Sequence, residues 1–395
     1  MIFLVKQKLE GDGMNILKGY VFRLYPDKNQ EQLINKTIGC SRFIYNYFLD
    51  DKIKEYKETG KSKSAFNQMK LIPLLSKEKE WLKEVDSCSL RNSLLDLERA
   101  FKNFYNGSGF PKFKAKGVHE RYKTNNIKSS YKGNHYETIK LVLKNKTITL
   151  PKLKEVKIRG YRNKEVILGV IKSAVIKKEV GRYYVSVLIE EALIRPAFTP
   201  TSIIGIDLGI KDLIVTSYNE KIENTIKFNN KRLIGLQRGL ARCKAGSKNR
   251  YKMKLKIQRL YQKIRNARKH MIHDITNKLI NENDIIVTEN LDVKSMQKNH
   301  YVAKGLNENP ISEIIRVLKY KANWNNKKII QINRYYPSSQ ICNVCNYQNK
   351  KVKDLSIRKW ECPVCYTNHD RDYNASVNIM FEGLKIYMKG LEQSV

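Results

Sequence analysis

Four cysteines near the C-terminal end of this 395-residue chain form two pairs, Cys342-Asn-Val-Cys345 and Cys362-Pro-Val-Cys365, with sixteen residues between them. A Cys-x-x-Cys pair sets two thiolates on one tight turn, and two such turns can surround a tetrahedral zinc ion. A redox pair and two disulfides are the competing readings. Two matched pairs in a basic chain with no charged n-region leading into an apolar stretch favour one structural zinc. Four thiolates leave no open position on the ion, so this metal folds the segment and does no chemistry. A ribbon this small has almost no core and is expected to lose its fold without metal. The remaining cysteines, Cys40, Cys88 and Cys243, are scattered.

Three acids stand out by context. Asp207 ends the run IIGID, Glu289 ends DIIVTE, and Asp372 sits in HDRDYNASVNIM directly after the second cysteine pair. An acid at the end of a buried strand is costly unless a cation compensates it. One such acid alone is usually a cap or a turn residue. Three together change the reading, because Lys plus Arg number 76 against 38 Asp plus Glu, a net charge of +38. Phosphodiester cleavage by paired divalent ions needs clustered carboxylates that hold two metals ~3.5–4 Å apart. Oxygen ligands select Mg²⁺ or Mn²⁺ and sulfur selects zinc, so the two kinds of site do not compete.

The charge also names a partner class. A field of +38 repels itself in a compact body unless a polyanion neutralises it. Between Arg238 and Lys269 there are thirteen Lys or Arg and no acid. A solvated helix face is the bland account of such a run, but no i,i+4 acid offsets it here, and phosphates are the natural neutraliser. Arg250, Lys254, Arg259, Lys263 and Arg268 are the expected contacts, with Lys112 and Lys114 in the aromatic-basic stretch GFPKFKAK. His270 and His273 lack the one-turn spacing of a metal pair. No apolar run approaches the ~20 residues of a membrane span, so no membrane partner is expected. Hydrophobic residues at 41% supply enough material for packed cores.

The elements that must position these groups are legible as patterns. Tyr20, Phe22 and Leu24 alternate in a strand that follows Met14, and residues 1–13 read as a leader ahead of the natural start. Helical periodicity then runs from about 29 to 107: Ile44, Phe48, Ile53 and Tyr56 form one stripe, and Leu90, Leu94, Leu97, Phe101 and Phe104 another. A Gly/Pro/Lys-rich stretch (106–117) ends it, and short strands fill 118–193, suggesting a small barrel whose first strand precedes the helices. Beyond 203 the texture is α/β. A strand pair surrounds a Gly turn, and a long basic helix follows with Ile257, Tyr261, Ile264, Met271, Ile275 and Leu279 apolar. Two more strands, DIIVTENL and KKIIQINR, flank a further helix.

GIDLGIKDLIVTS, IIVTENLDVKSM and CxxC…CxxC followed by DRDYNASVNI resemble the three RuvC motifs and zinc ribbon of the TnpB (OrfB) family, transposon-encoded relatives of type V CRISPR effectors. FRLYPDKNQEQLINKTIGCSRFIYNYFL, EWLKEVDS and GFPKFKAK extend the resemblance over nearly the whole chain from Met14. It implies a multidomain α/β plus β chain: an RNase H-like (RuvC) nuclease domain at 203–337 and 368–395, with a zinc ribbon inserted at 338–367. A wedge-like β-barrel at 14–28 and 111–193 precedes it, carrying a helical recognition domain at 29–110, and 194–202 is a linker. The resemblance also implies an RNA-guided DNA endonuclease that cuts double-stranded DNA beside a short target-adjacent motif. Asp207, Glu289 and Asp372 would be its Mg²⁺ or Mn²⁺ ligands, with Asp370 a neighbour of open role. A guide RNA, a monomeric state and a prokaryotic cytosolic location follow from the same resemblance. Relatives often place Gly after the second Cys of each pair, whereas Asn346 and Tyr366 stand here. Tyr tolerates a left-handed turn poorly, so the second knuckle is expected to differ from the first.

Two other classes compete. A guide- or sequence-directed DNA-binding repressor would not need all three acids. A tyrosine transposase needs a His-hydrophobic-His triplet that the chain lacks, and an integrase-type enzyme orders its acids Asp…Asp…Glu rather than Asp…Glu…Asp.

Overall fold

The computed structural model describes every residue except 1–12, 119, 132–133, 161–166, 168, 195–197, 227–229, 299–302, 304, 307–308, 355 and 393–395. The leader read at 1–13 falls outside the described residues up to position 12, and Gly13 already opens the first strand. The chain divides into two compact units, one spanning Gly13–Leu193 and the other comprising Ile194 onward.

In the first unit, strand β1 (Gly13–Tyr25) leads into helix α1 (Lys28–Thr59). Asp27 starts α1 through a reciprocal capping box with Gln30, satisfying two backbone N–H groups that a helix start leaves orphaned. Two short helices, α2 (Ala65–Met69) and α3 (Ile72–Glu78), precede α4 (Ser87–Tyr105), which Asp86 caps. The expected stripes meet here: Ile44, Phe48 and Leu49 of α1 pack in one core with Leu90, Leu94 and Leu97 of α4. Both stripes run out at their ends, where Tyr56 is 63% and Phe104 36% exposed.

Eight further strands follow: β2 (Arg121–Asn125), β3 (Lys128–Tyr131), β4 (Asn134–Glu137), β5 (Lys140–Val142), β6 (Thr147–Leu150), β7 (Lys154–Arg159), β8 (Val170–Glu179) and β9 (Arg182–Ile194). Seven strands make one sheet in the order β2-β8-β9-β1-β7-β6-β5, so β1 is central although it precedes every helix. The sheet wraps a core of Phe22, Leu24, Ile139, Ile148, Val185 and Val187. The barrel expected from sequence is an open one. Among the described residues no ladder joins the edge strands β2 and β5, because the β3–β4 hairpin takes up the chain between them. Asn126 spans the gap instead: its Oδ1 accepts from the Ile139 N–H (2.9 Å) while its Nδ2 donates to the Ile171 carbonyl (3.1 Å).

The second unit is built on a mixed sheet ordered β12-β11-β10-β13-β14. Its strands are β10 (Ile203–Asp207), β11 (Ile214–Thr216), β12 (Lys221–Ile222), β13 (Ile285–Glu289) and β14 (Lys328–Ile332). β10, β13 and β14 are parallel and β11 is antiparallel to β10. The parallel strands are covered on both faces, which is why β10 and β13 read as near-continuous apolar runs rather than alternating ones. Helix α5 (Asn230–Ala241) and the 35-residue helix α6 (Lys248–Glu282) follow β12, and the Ile311–Trp324 helix packs on α6. A C-terminal helix, Arg371–Glu392, crosses the opposite face so closely that a Cβ on Gly205 would lie 2.1 Å from the Ser376 carbonyl. Only glycine at position 205 lets that helix approach β10.

Candidate metal centre

Asp207 and Glu289 terminate neighbouring parallel strands in register, Ile206 opposite Thr288. Both therefore emerge at the carboxyl edge of the sheet, where open α/β sheets place their ligand crevices. Asp372 enters the same region from the first turn of the C-terminal helix. Burial, then the charges of Glu289 and Asp372, push the Asp207 carboxyl up to about 8. Burial also raises Glu289, against the opposing hydrogen bond from Ser338. Asp372 is held by Arg358, whose Nη1 lies 3.2 Å from one carboxylate oxygen and 3.4 Å from the other. The structure thus brings the three sequence-derived acids into one electrostatic neighbourhood. They are not drawn to a common point: among the described residues only the four ribbon cysteines place their ligand atoms all within 4.8 Å of one another. Mutually repelling oxygen donors of this kind fit a hard divalent cation.

Asp370 has a different job. Its Oδ1 accepts from the backbone N–H groups of Asp372 and Tyr373, both at 3.2 Å, and its Oδ2 accepts from Lys221 Nζ at 2.7 Å. It is the N-terminal cap of the helix that carries Asp372. Asp370→Ala is expected to cost about 1 kcal/mol of stability, as lost caps do, and to leave a folded protein that still cleaves. Calorimetry beside a cleavage assay checks this, and complete inactivity of a folded Asp370→Ala protein would place Asp370 among the ligands instead.

The ribbon brings its four sulfurs together. Cys342 and Cys365 Sγ are 3.6 Å apart and Cys345 and Cys362 Sγ 3.5 Å. A thiolate tetrahedron with ~2.3 Å zinc–sulfur bonds has edges near ~3.8 Å, so the donor set fits zinc. The Thr367 hydroxyl, with its backbone N–H, lowers the Cys365 thiol to about 6 and readies one ligand. The two knuckles are alike, contrary to expectation. Asn346 (φ 62°) and Tyr366 (φ 57°) are both left-handed. Their N–H groups donate to the Cys342 and Cys362 carbonyls at 2.9 Å each. The ~1–2 kcal/mol cost of a left-handed Tyr is small beside the ~10–16 kcal/mol that structural zinc supplies.

His369 carries a role the sequence did not show. It is buried, its ring lies 4.6 Å from that of Trp360, and its Nε2 is 3.1 Å from Cys342 Sγ. Were Cys342 a zinc-bound thiolate, this nitrogen would carry the proton and donate to it, the kind of outer contact that orients metal ligands. Its signal was weak, since one histidine two residues before a helix has no characteristic spacing.

The basic residues sort by what they touch. Lys254, Arg259 and Lys263 are exposed on α6, and Arg268 is half-buried. Arg250 is committed: its Nη1 donates to the Leu240 (3.0 Å) and Cys243 (3.3 Å) carbonyls and pins the end of α5. In the other unit Lys112 is exposed, whereas Lys114 turns inward, its Nζ 3.8 Å from the Tyr45 ring centre and its pKa lowered by burial. Replacing Lys254, Arg259 and Lys263 together by Gln is expected to flatten the salt dependence of nucleic-acid binding by up to ~2–3 units of slope, one released counterion per lost phosphate contact. Arg250→Gln should lower stability and leave the slope unchanged. Binding isotherms at several salt concentrations separate the two.

Three stretches match family models: 14–61 and 184–300 the OrfB models described as "Helix-turn-helix domain" and "Probable transposase", and 312–379 the one described as "Cas12f1-like, TNB domain". The "Putative RNA-guided DNA endonuclease InsQ" of Escherichia coli (strain K12) is 31% identical over 391 residues, covering 94% of this chain and 93% of its own length. The chain belongs to the OrfB (TnpB) family. A "Putative RNA-guided DNA endonuclease" of Streptomyces pristinaespiralis is 30% identical over 93% of the chain and 90% of itself. The OrfB fold is shared with a solved Cas12f1-sgRNA-target DNA complex, whose protein aligns with a TM-score of 0.57 at 15% identity, covering 93% of this chain and 99% of that one. Residues 14–61 do not form a helix-turn-helix here: they are strand β1 and the single helix α1.

Proposed function

We propose that the chain is an RNA-guided, Mg²⁺- or Mn²⁺-dependent DNA endonuclease of RuvC type, with Asp207, Glu289 and Asp372 as its cation ligands. The observation that carries the reading is the gathering of three acids at the carboxyl edge of a parallel sheet, Asp207 and Glu289 ending neighbouring strands in register and Asp372 entering on the first turn of the C-terminal helix. A fold retains such a costly group where a cation relieves it. In this reading the β10–β14 sheet and C-terminal helix are the RNase H-like (RuvC) domain with the zinc ribbon inserted. The β1–β9 body is the wedge-like domain, and α1–α4 form the recognition domain.

The divalent ions, when bound, supply an activated water and charge neutralisation at the leaving oxygen. The chain's residues do the rest. Asp207 and Glu289 fix two oxygen donors on rigid strand ends. The C-terminal helix presents Asp372 to them, and Asp370 holds the start of that helix. Lys254, Arg259, Lys263 and Lys112 supply phosphate contacts that do not depend on base sequence.

RNA that co-purifies with the protein is the direct test of the guide. Its sequence should contain a segment that, when matched in a plasmid, directs Mg²⁺-dependent cutting. A protein that binds such a plasmid tightly and never cuts it is a repressor, and one that cuts without RNA is a plain nuclease.

A further inference from the structure

Three buried polar side chains outside the carboxylate set join the ribbon to the strand that carries Glu289. Ser338, 5% exposed, donates its hydroxyl to Glu289 Oε1 at 2.5 Å. The backbone around Ser338 is gripped from the other side. Asn378 Nδ2 donates to the Ser338 carbonyl (2.8 Å) and to the Ile341 carbonyl (2.7 Å). One turn earlier, Asn374 Nδ2 donates to the Ile341 carbonyl (2.7 Å), and its Oδ1 accepts from the Asn343 N–H (3.0 Å). Asn343 lies inside the first cysteine knuckle, next to Cys342. Both asparagines belong to the Arg371–Glu392 helix that carries Asp372, and they are 0% and 4% exposed.

A buried amide is expensive unless it is bonded, and one whose bonds are all made holds its partners in a single geometry. Asn374 and Asn378 together fix residues 338–343 against the helix of Asp372, and Ser338 carries that fixed position to Glu289. Simple seating of a ribbon on a domain would need apolar contact only. Here the chain of bonds ends on Glu289 at one side, through Ser338, and on the Asn343 N–H of the first cysteine knuckle at the other, through Asn374.

We propose that Ser338 is the positioning residue for Glu289, and that the zinc-loaded first knuckle fixes Ser338 through Asn374 and Asn378. Loading of the ribbon thereby sets the affinity of the carboxylate site for its divalent cation. The inference rests on the reading of Asp207, Glu289 and Asp372 as cation ligands. With one oxygen held by Ser338, Glu289 keeps the other aimed along one direction. Without that bond a half-buried carboxylate can rotate. Outer contacts of this kind are worth about 10–100-fold in metal affinity. Coupling between two metal sites is reciprocal, so carboxylate occupancy should also tighten zinc.

Mn²⁺ binding to the full chain, read from the paramagnetic resonance of free Mn²⁺, tests this without an activity assay. Ser338→Ala should weaken Mn²⁺ about 10–100-fold at unchanged zinc content and RNA affinity, and Ser338→Thr should restore it. Cys365→Ser, which removes zinc, should weaken Mn²⁺ as well, and adding Ser338→Ala to it should cost little more, since the two act along one path. Mn²⁺ affinity in Ser338→Ala equal to that of the wild type overturns the role of Ser338. Fully additive losses in the double variant overturn the link to zinc. A wild-type protein that binds no Mn²⁺ sinks the carboxylate reading itself, so the two failures are distinguishable.

Discussion

Asp207→Ala, Glu289→Ala and Asp372→Ala are each expected to lower DNA cleavage by ~10³-fold or more while RNA binding stays unchanged. A lost ligand forfeits several kcal/mol of transition-state stabilisation, and each ~1.4 kcal/mol is tenfold in rate. Binding survives because the exposed cations lie on other elements. The isosteric Asp207→Asn variant should add an opposite effect on stability. The Asp207 carboxyl is raised to about 8 in the fold, above its ordinary acidic value, so the folded state holds that proton more tightly than the unfolded one. Stability from the protonated carboxyl is complete below the ordinary carboxylate range and is lost as pH rises toward 8. Without divalent cation, Asp207→Asn should therefore melt higher than the wild type at pH 8 and lose part of its pH dependence between 5 and 8. Added Mg²⁺ should raise the melting temperature of the wild type and not of the variant. A cation-free Asp207→Asn protein that melts lower than the wild type at pH 8 would show that no repulsion is relieved there. Residual full cutting by any of the three alanine variants removes that residue from the ligand set.

What could be read from sequence was what leaves a periodic or spaced trace. Asp207 and Glu289 were visible because each closes an apolar run, and the strand register then sets them side by side. The α1 and α4 stripes were visible because burial recurs with the helical period. Ser338, Asn374, Asn378 and His369 left no trace, since a buried polar group is defined by the partners that tertiary structure brings to it. Arg250 shows the same limit: within a run of cations, nothing local marks a guanidinium whose Nη1 turns to the Leu240 and Cys243 carbonyls. The strands of the first unit were legible, but the opening between β2 and β5 was not. It depends on a hairpin whose pairing, Lys128 with Glu137 and Ser129 with Tyr136, has no strong apolar alternation. Tyr366 shows the remaining limit, because local backbone preference disfavours its conformation and the metal site imposes it.

Zinc is the other large term, and Cys342→Ser is expected to remove it. Among the described residues the ribbon's buried core is Cys342, Val352, Trp360 and Cys362, so two of these four are themselves proposed zinc ligands. Apart from its cysteines, the only apolar residues the described ribbon buries are Val352 and Trp360, with Ile357 partly buried against them, a core too small to hold it folded without metal. Metal binding, at an apparent ~10–16 kcal/mol for small zinc modules, supplies folding free energy that this small core lacks. Wild-type protein purified without added zinc should hold one zinc per chain, and Cys342→Ser none. The variant should be cut by protease within residues 338–367 and change its Trp360 emission. The second unit's main core, where Ile286, Ile314 and Leu318 pack without any ribbon residue, should remain folded. Cleavage should fall with the zinc, because the segment that holds Ser338 against Glu289 is anchored beside Cys342. Unchanged zinc content in Cys342→Ser would refute the four-cysteine site. Zinc loss with intact cleavage would leave the site standing and show that the carboxylates keep their geometry without it.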